Sequence, residues 1–265
     1  MKNVQQHFKS WLAGVVDGDG NFDFRGNTLK AIRIKIHVRD VRILSHIQNS
    51  LGVGRVKHVH NKPYVLYIVS TQPHMALFVT AINGRIRVKV PSFQKACACL
   101  GLTFVFAPPL VSNDAYFAGL VDSDGWVVLN YQQNCITVGV EVNVSSHVNT
   151  LNFFPAINHA TPNIVRRKTA SGKTSIRFIY QSVAQMVHVY DYFKMFRLYS
   201  DFKFYRVMQI KRFLQIRQYQ RYPQGSIELA IYSRFCMNFI TYQNPQWAKV
   251  PFVAKLDKDI VQNST

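Results

Sequence analysis

Residues 11–20 read WLAGVVDGDG, and residues 116–125 read YFAGLVDSDG. The second stretch starts at position 116 against 11 for the first, and its Ala, Gly, second Val, both Asp and final Gly fall in the same places. Such self-similarity marks a duplicated unit, and the flanks of each copy test it. After the first comes Ile32-Arg33-Ile34-Lys35-Ile36-His37-Val38-Arg39, a strict apolar–polar alternation. After the second comes Ile136-Thr137-Val138-Gly139-Val140-Glu141-Val142-Asn143-Val144-Ser145, alternating in the same way. A period of two predicts a strand with one face on a core and the other in water. The first strand's outward face is then Arg33, Lys35, His37 and Arg39; the second's is polar but less basic.

The two halves continue in step. Ile43, Leu44, Ile47 and Leu51 form the apolar face of a helix stopped by Gly52. Leu151, Phe154 and Ile157 do the same in the second half, interrupted by Pro155. A hairpin follows from Arg55 to Val69 around Asn61-Lys62-Pro63, and another from Ile164 to Tyr180 around Ala170-Ser171-Gly172-Lys173. Further helices are expected at His74–Asn83 and Ser182–Phe193. Each half reads helix, strands, helix, strands, helix, an α+β fold. The break near Ala107-Pro108-Pro109 divides it into domains 1–107 and 108–265. The second half is longer and ends in a basic helical stretch, Lys203 to Arg221, and then an irregular tail.

The chain carries 32 Lys and Arg against 13 Asp and Glu, a net charge of +19. That much self-repulsion in a chain with a 48% apolar composition calls for a polyanionic partner. A membrane surface would instead ask for a basic amphipathic helix or an apolar run of about 20 residues, and the apolar runs here are short. Cys97, Cys99, Cys135 and Cys236 form no CxxC pair and have no His at zinc spacing, so they read as reduced thiols. The first residues, Met1 to Lys9, show neither a secretory h-region nor an Arg-rich presequence.

The two motifs carry more than packing. Trp11 to Val16 and Tyr116 to Val121 read as short apolar helices. Gly14 with Gly18, and Gly119 with Ser123, put small residues on one face of each. Such faces let two helix backbones approach closely, so these four residues are expected at a helix–helix interface. Asp17, Asp19, Asp122 and Asp124 fall where the helices end. Carboxylates there oppose the helix dipole, and side by side they repel one another. A divalent cation with oxygen ligands resolves both conflicts. A calcium loop is excluded, because the positions that require Gly and Glu hold Phe22 and Thr28 in the first copy, and Val127 and Gln133 in the second.

Leu12-Ala13-Gly14-Val15-Val16-Asp17-Gly18-Asp19-Gly20 and Phe117-Ala118-Gly119-Leu120-Val121-Asp122-Ser123-Asp124-Gly125 resemble the LAGLIDADG motif. Two such motifs, each followed by an amphipathic strand, resemble the single-chain homing endonucleases of that family. The resemblance implies two αββαββα domains about a pseudo-twofold axis, with motif helices at the interface and saddle-shaped antiparallel sheets in the DNA major groove. It implies a monomer that acts as a pseudo-dimer. Asp19 and Asp124 become ligands of two or three Mg²⁺ ions, with Mn²⁺ able to substitute and the Gly18 and Ser123 carbonyls as further ligands. Asp17 and Asp122 become structural. The implied reaction is metal-assisted phosphodiester hydrolysis, one strand per motif, giving a double-strand break with 3′ overhangs. Lys89 and Lys203 fall where family members place a catalytic lysine. A water-ordering Gln of many relatives is replaced at the matching positions by Val38 and Ser146.

A strand of about ten residues spans roughly one turn of duplex. Arg33, Lys35, His37, Arg39, Arg55 and Lys57 are the first-half candidates for DNA contact. Thr137, Glu141, Asn143, Arg166, Arg167, Lys168 and Arg177 are those of the second. Since the halves differ, an asymmetric target is expected. Two other readings stay open. Lys211, Arg212, Arg217, Tyr219 and Arg221 would suit intron RNA, as in a maturase; a catalytically silent DNA binder would have no use for acids facing a polyanion. The Phe and Tyr content fits synthesis inside an organelle, mitochondrion or chloroplast, from an intron reading frame.

Overall fold

The computed structural model describes residues 2–111, 114–143, 151, 157–168, 172 and 174–261. The first half runs α1 (Lys2–Asp19), β1 (Gly20–Arg25), β2 (Thr28–His37), α2 (Val41–Leu51), β3 (Arg55–His58), β4 (Tyr64–Val69), α3 (Gln72–Ile82) and α4 (Val90–Cys99). The second runs α5 (Tyr116–Asp124), β5 (Gly125–Asn130), β6 (Cys135–Asn143), β7 (Asn163–Lys168), β8 (Thr174–Tyr180), α6 (Val183–Met195), α7 (Asp201–Met208), α8 (Ile210–Ile216), α9 (Ile227–Thr241) and α10 (Val253–Val261). Two four-stranded antiparallel sheets result, ordered β1-β2-β4-β3 and β5-β6-β8-β7, so the duplication is one of topology as well as sequence.

Alternation sets the faces. Ile32, Ile34 and Ile36 are buried and pair with Val69, Tyr67 and Val65; Val138, Val140 and Val142 pair with Tyr180, Phe178 and Ile176. Helices cover these inner faces, and the other face of each sheet is left open. The first helix of the pattern stops as expected: Gly52 takes φ 68° and donates its N–H to the Gln48 carbonyl. In the second half Ser182 and Gln185 form a capping box that starts α6.

Four expectations need comment. Arg39 is not on the strand: β2 ends at His37, whose Nδ1 accepts from the Arg39 N–H, and Val38–Asp40 is a 3-10 turn. Arg39 therefore leaves the outer row and lies 3.9 Å over the Phe202 ring. The basic stretch bends at Gln209, between α7 and α8. The tail is not irregular, because α9 is capped by Ser226 and buries Leu229, Tyr232, Cys236 and Phe239, a helical spacing. It holds the β5–β6 turn through Tyr232 Oη, which donates to Asn134 at 3.0 Å, and α10 packs back on α9, with Ser233 Oγ donating to Asp259 at 3.1 Å. Finally, Val144, Ser145, Ser146, Phe154, Pro155, Ala170, Ser171 and Lys173 lie outside the described residues; Leu151 and Ile157 are buried. No helix among the described residues is long and apolar enough to cross a membrane.

Candidate active site between the motif helices

The two motif helices meet backbone to backbone. A Cβ on Gly14 would fall 2.1 Å from the Tyr116 carbonyl oxygen, and one on Gly119 would fall 1.9 Å from that of Trp11. Neither position has room for any side chain. The next turn is less tight: Ser123 fills the space that Gly18 leaves, and its hydroxyl donates back to the Gly119 and Leu120 carbonyls of its own helix. Leu12, Ala13, Val16, Phe117, Ala118 and Val121 are wholly buried around this seam.

Asp17 and Asp122 are buried in equivalent cages. Asp17 accepts from the Arg87 N–H at 2.7 Å, the Lys89 N–H at 2.8 Å and the Tyr116 hydroxyl at 2.7 Å. Asp122 accepts from the Tyr199 and Ser200 N–H groups, each at 2.9 Å, and from Trp11 Nε1 at 2.8 Å. The aromatic partners are exchanged: the first residue of each motif reaches across the seam to the other motif's acid. Each acid thereby ties its helix end to the helix opposite and to the segment entering α4 or α7. Burial raises both carboxyl pKa values, that of Asp122 to about 6, against the pull of these donors. This supports the structural role that the family resemblance implies for Asp17 and Asp122.

Asp19 and Asp124 differ from this pair. They sit near each other at the end of the seam, where the Gly18 Cβ position is 3.3 Å from an Asp124 carboxylate oxygen. Neither accepts a hydrogen bond from a described residue. Burial first, and then the Asp124 charge, push the Asp19 carboxyl up to about 6. Burial also raises Asp124, which keeps one side open to solvent, while Lys89 and Lys203 pull it down. Two acids without donors among the described residues, held close at a partly open helix end, make an unbalanced arrangement unless a cation joins them. Among the described residues no third His, Cys, Asp or Glu completes a cage. That donor set fits Mg²⁺, which takes one or two carboxylates and fills its shell with water and phosphate oxygens.

Lys89 and Lys203 converge on the same helix ends, but by different contacts. Lys89 Nζ donates to the Gly18 and Gly20 carbonyls. Lys203, only 8% exposed, donates to the Val121, Asp122 and Ser123 carbonyls at 2.8, 2.8 and 3.0 Å. An ammonium has three donors, so Lys203 is fully engaged in capping α5 while Lys89 keeps one. Burial lowers the pKa of both. The Gly18 and Ser123 carbonyls, expected as further cation ligands, each already accept from one of these lysines.

On the open faces, pairing register sorts the DNA candidates. Arg33, Ile68 and Arg55 share one outer row of the first sheet, Lys35, Leu66 and Lys57 the next, and His37 stands beside Tyr64. Arg33 pairs with Asp23 at 2.9 Å. In the second sheet Thr137 is outward on β6 with Glu141 and Asn143, and Arg177 and Arg167 share that side. Arg166 and Lys168 alternate to the other side of the exposed edge strand β7, beside Ile176 and Thr174, so they do not join Arg177. Glu141 is not a free acceptor: Ser175 Oγ and Arg177 Nε hold its two oxygens. Val38 lies past the end of β2, and the strand residue whose charge reaches Asp19 is Lys35. Sequence reasoning missed Trp11, Tyr116, Tyr199 and Ser200; the aromatic residue that opens both motif copies was the available signal for the first two.

The chain is similar to several known proteins. Residues 12–95 match the family model described as LAGLIDADG endonuclease. The "Intron-encoded RNA maturase bI4" of Saccharomyces cerevisiae is 32% identical over 132 residues, 49% of this chain. That match takes in only 20% of the yeast protein, so the chain spans about a fifth of that relative's length. The "Intron-encoded DNA endonuclease ai2b" of Dictyostelium discoideum is 23% identical over 199 residues, 73% of this chain and 74% of that protein. The structure described as "Crystal structure of the I-LtrWI LAGLIDADG homing endonuclease bound to target DNA" superposes on 89% of this chain and 99% of its own, with TM-score 0.62 and 10% identity. At that identity the likeness is one of fold: two antiparallel sheets with helices, in a pseudo-symmetric pair.

Proposed function

Taking the chain as a LAGLIDADG protein of the single-chain, two-motif type, we propose that it is a site-specific endonuclease that cuts both strands of a long, asymmetric DNA duplex with Mg²⁺. The observation that carries this reading is the pair Asp19 and Asp124, two neighbouring carboxylates at the end of a helix seam to which no described residue donates a hydrogen bond. In this reading residues 1–107 and 108–265 are the two domains, and their open sheet faces lie in successive stretches of major groove. The first face offers Lys35, His37, Arg55 and Lys57 to the duplex; the second offers Thr137, Asn143 and Arg167.

Hydrolysis joins the oxygen of one water to phosphorus and breaks the bond to the 3′ oxygen, which takes up a proton. The products are a 5′-phosphate and a 3′-hydroxyl. Divalent ions at Asp19 and Asp124 would stabilise charge on the attacked phosphate and the leaving oxygen. The chain does the rest. The seam fixes the spacing of the two carboxylates, Asp17 and Asp122 lock the helix ends behind them, and Lys89 has a donor left for a phosphate oxygen. Cleavage is tested with a plasmid carrying the uninterrupted exon junction of the host gene. Linear product with Mg²⁺, and none with EDTA, is the expected result; specific binding with no cleavage under any divalent ion would defeat the enzyme reading.

A second reading, intron RNA binding in support of splicing, has its own observation. Lys211, Arg212 and Arg221 are exposed on α8 and the 3-10 turn after it, with no acid between Phe202 and Ile227, and one relative is named an RNA maturase. Splicing of the cognate intron with and without the protein tests it. The relatives' names also favour an intron reading frame, and with it an organellar home.

A further inference from the structure

We propose that the two cutting centres are unequal: the centre at Asp19 has a cation of its own, Lys35, with donors free for phosphate, the centre at Asp124 has no counterpart to it, and the first cuts its strand faster than the second. This inference rests on the endonuclease reading and adds a strand order to it.

Two observations carry the inequality. The first is register. Gly20 pairs with Ile34 and Gly125 with Val140, so the outward residue that follows is Lys35 in the first half and Glu141 in the second. The duplicated fold therefore presents a lysine and a glutamate at corresponding register positions of the two sheets. The second is pairing. Both Glu141 oxygens are occupied, and the Arg177 guanidinium that holds one of them, at 2.6 Å, is neutralised in doing so. Lys35 makes no hydrogen bond to a described residue and rests its ammonium 5.3 Å from the Tyr64 ring centre. Lys89 and Lys203 do not set the centres apart, because each acts electrostatically on both Asp19 and Asp124; Lys35 acts on Asp19 and has no counterpart among the charges acting on Asp124.

A free cation beside a scissile phosphate stabilises charge that builds in the transition state, and removing one such donor costs roughly 10²–10³ in rate where the contact is fully enclosed. Lys35 is on an open sheet face, so an effect of about 10-fold is expected after screening. Lys35 is assigned a direct phosphate contact at the first centre only.

The test follows the cleavage of each strand separately, with the label on one strand or the other of the same duplex target and Mg²⁺ present. Wild type should cut one strand at least about 5-fold faster, and a nicked plasmid should accumulate before the linear form. Lys35→Met should slow the faster strand about 10-fold and change the slower one less than about 2-fold. Lys35→Arg should restore the preference. Glu141→Gln, which frees the Arg177 guanidinium, should speed the slower strand. Equal strand rates in wild type, or equal slowing of both strands by Lys35→Met, would overturn the inequality and leave the endonuclease reading standing. A duplex bound but cut on neither strand would overturn both. Melting curves on each variant separate a folding defect from a strand-specific one.

Discussion

In the first sheet, the two outward rows nearest the seam run Arg33, Ile68, Arg55 and Lys35, Leu66, Lys57. The corresponding rows of the second run Gly139, Ile179, Asn163 and Glu141, Arg177, Val165. Topology and inward residues are kept: Ile34 with Tyr67 matches Val140 with Phe178. The outward residues have diverged in charge. Where these rows of the first sheet hold four cations, one of them paired with Asp23, those of the second hold one, paired with Glu141, and a glycine covered by Trp126, whose ring atom lies 2.7 Å from the Gly139 Cβ position. A duplicated fold is held by its core and its seam. Its open faces are free to change, and there the two halves become different instruments.

The seam is where symmetry is least negotiable, and it gives the largest expected effect. Gly14→Val and Gly119→Val each drive a side chain into a backbone carbonyl of the opposite helix. Each should cost at least about 3 kcal/mol and lower Tm by roughly 6 °C or more. A variant that melted like wild type would show that the helices are not in backbone contact.

Next come the exchanged aromatics. Trp11→Phe and Tyr116→Phe each remove one donor from a buried carboxylate and leave two backbone donors in place. Denaturant unfolding should show losses of about 1.5–3 kcal/mol, similar for the two. A cost in one half alone would break the equivalence of the two cages.

Titration gives a smaller effect of known sign. The Asp19 carboxyl is pushed up to about 6 from an ordinary 3.8, so the folded chain holds its proton more tightly than the unfolded one. The stabilising contribution is present at low pH and falls as pH rises from about 4 to 6. Above that window, in EDTA, Asp19→Asn should raise Tm by a few degrees; near pH 4 it should change little. Mg²⁺ should then stabilise wild type more than the variant. A lower Tm for the variant at pH 7.5 in EDTA would contradict the burial of this charge.

The smallest effect compares the faces. Lys57→Ala should reduce the salt slope of DNA binding by about 0.9, the value for one phosphate contact. The double variant Glu141→Ala with Arg177→Ala removes an already neutral pair and should leave the slope unchanged. A slope lowered equally by both would mean that the two faces meet the phosphates alike.

Much of this was legible in sequence because it rests on strong local signals. Alternation over Ile32–Ile36 and Ile136–Val142 marked the strand faces, and the repeated Asp-X-Asp marked the acids that the structure places at two helix ends. What was lost depends on longer-range geometry. Arg39 continued an alternation that the His37-capped turn ends. Arg166 and Lys168 read as one run with Arg167, although a strand sends alternate residues to opposite sides. Lys203 looked free until its three carbonyl partners from α5, about eighty positions earlier in the chain, were seen. α9 had a helical spacing and a Ser226 cap that could have been read. The exchange of Trp11 and Tyr116 between cages could not, because it exists only once the two halves meet.

The proposed joint hold of Asp19 and Asp124 on the divalent ions for cleavage is tested by running Asp19→Asn and Asp124→Asn beside wild type on the plasmid target with Mg²⁺. Wild type should linearise the plasmid, and each variant should still bind the target but lose double-strand cleavage by about 10³-fold or more. Linear product from either variant at the wild-type rate would rule out the shared role of the two carboxylates.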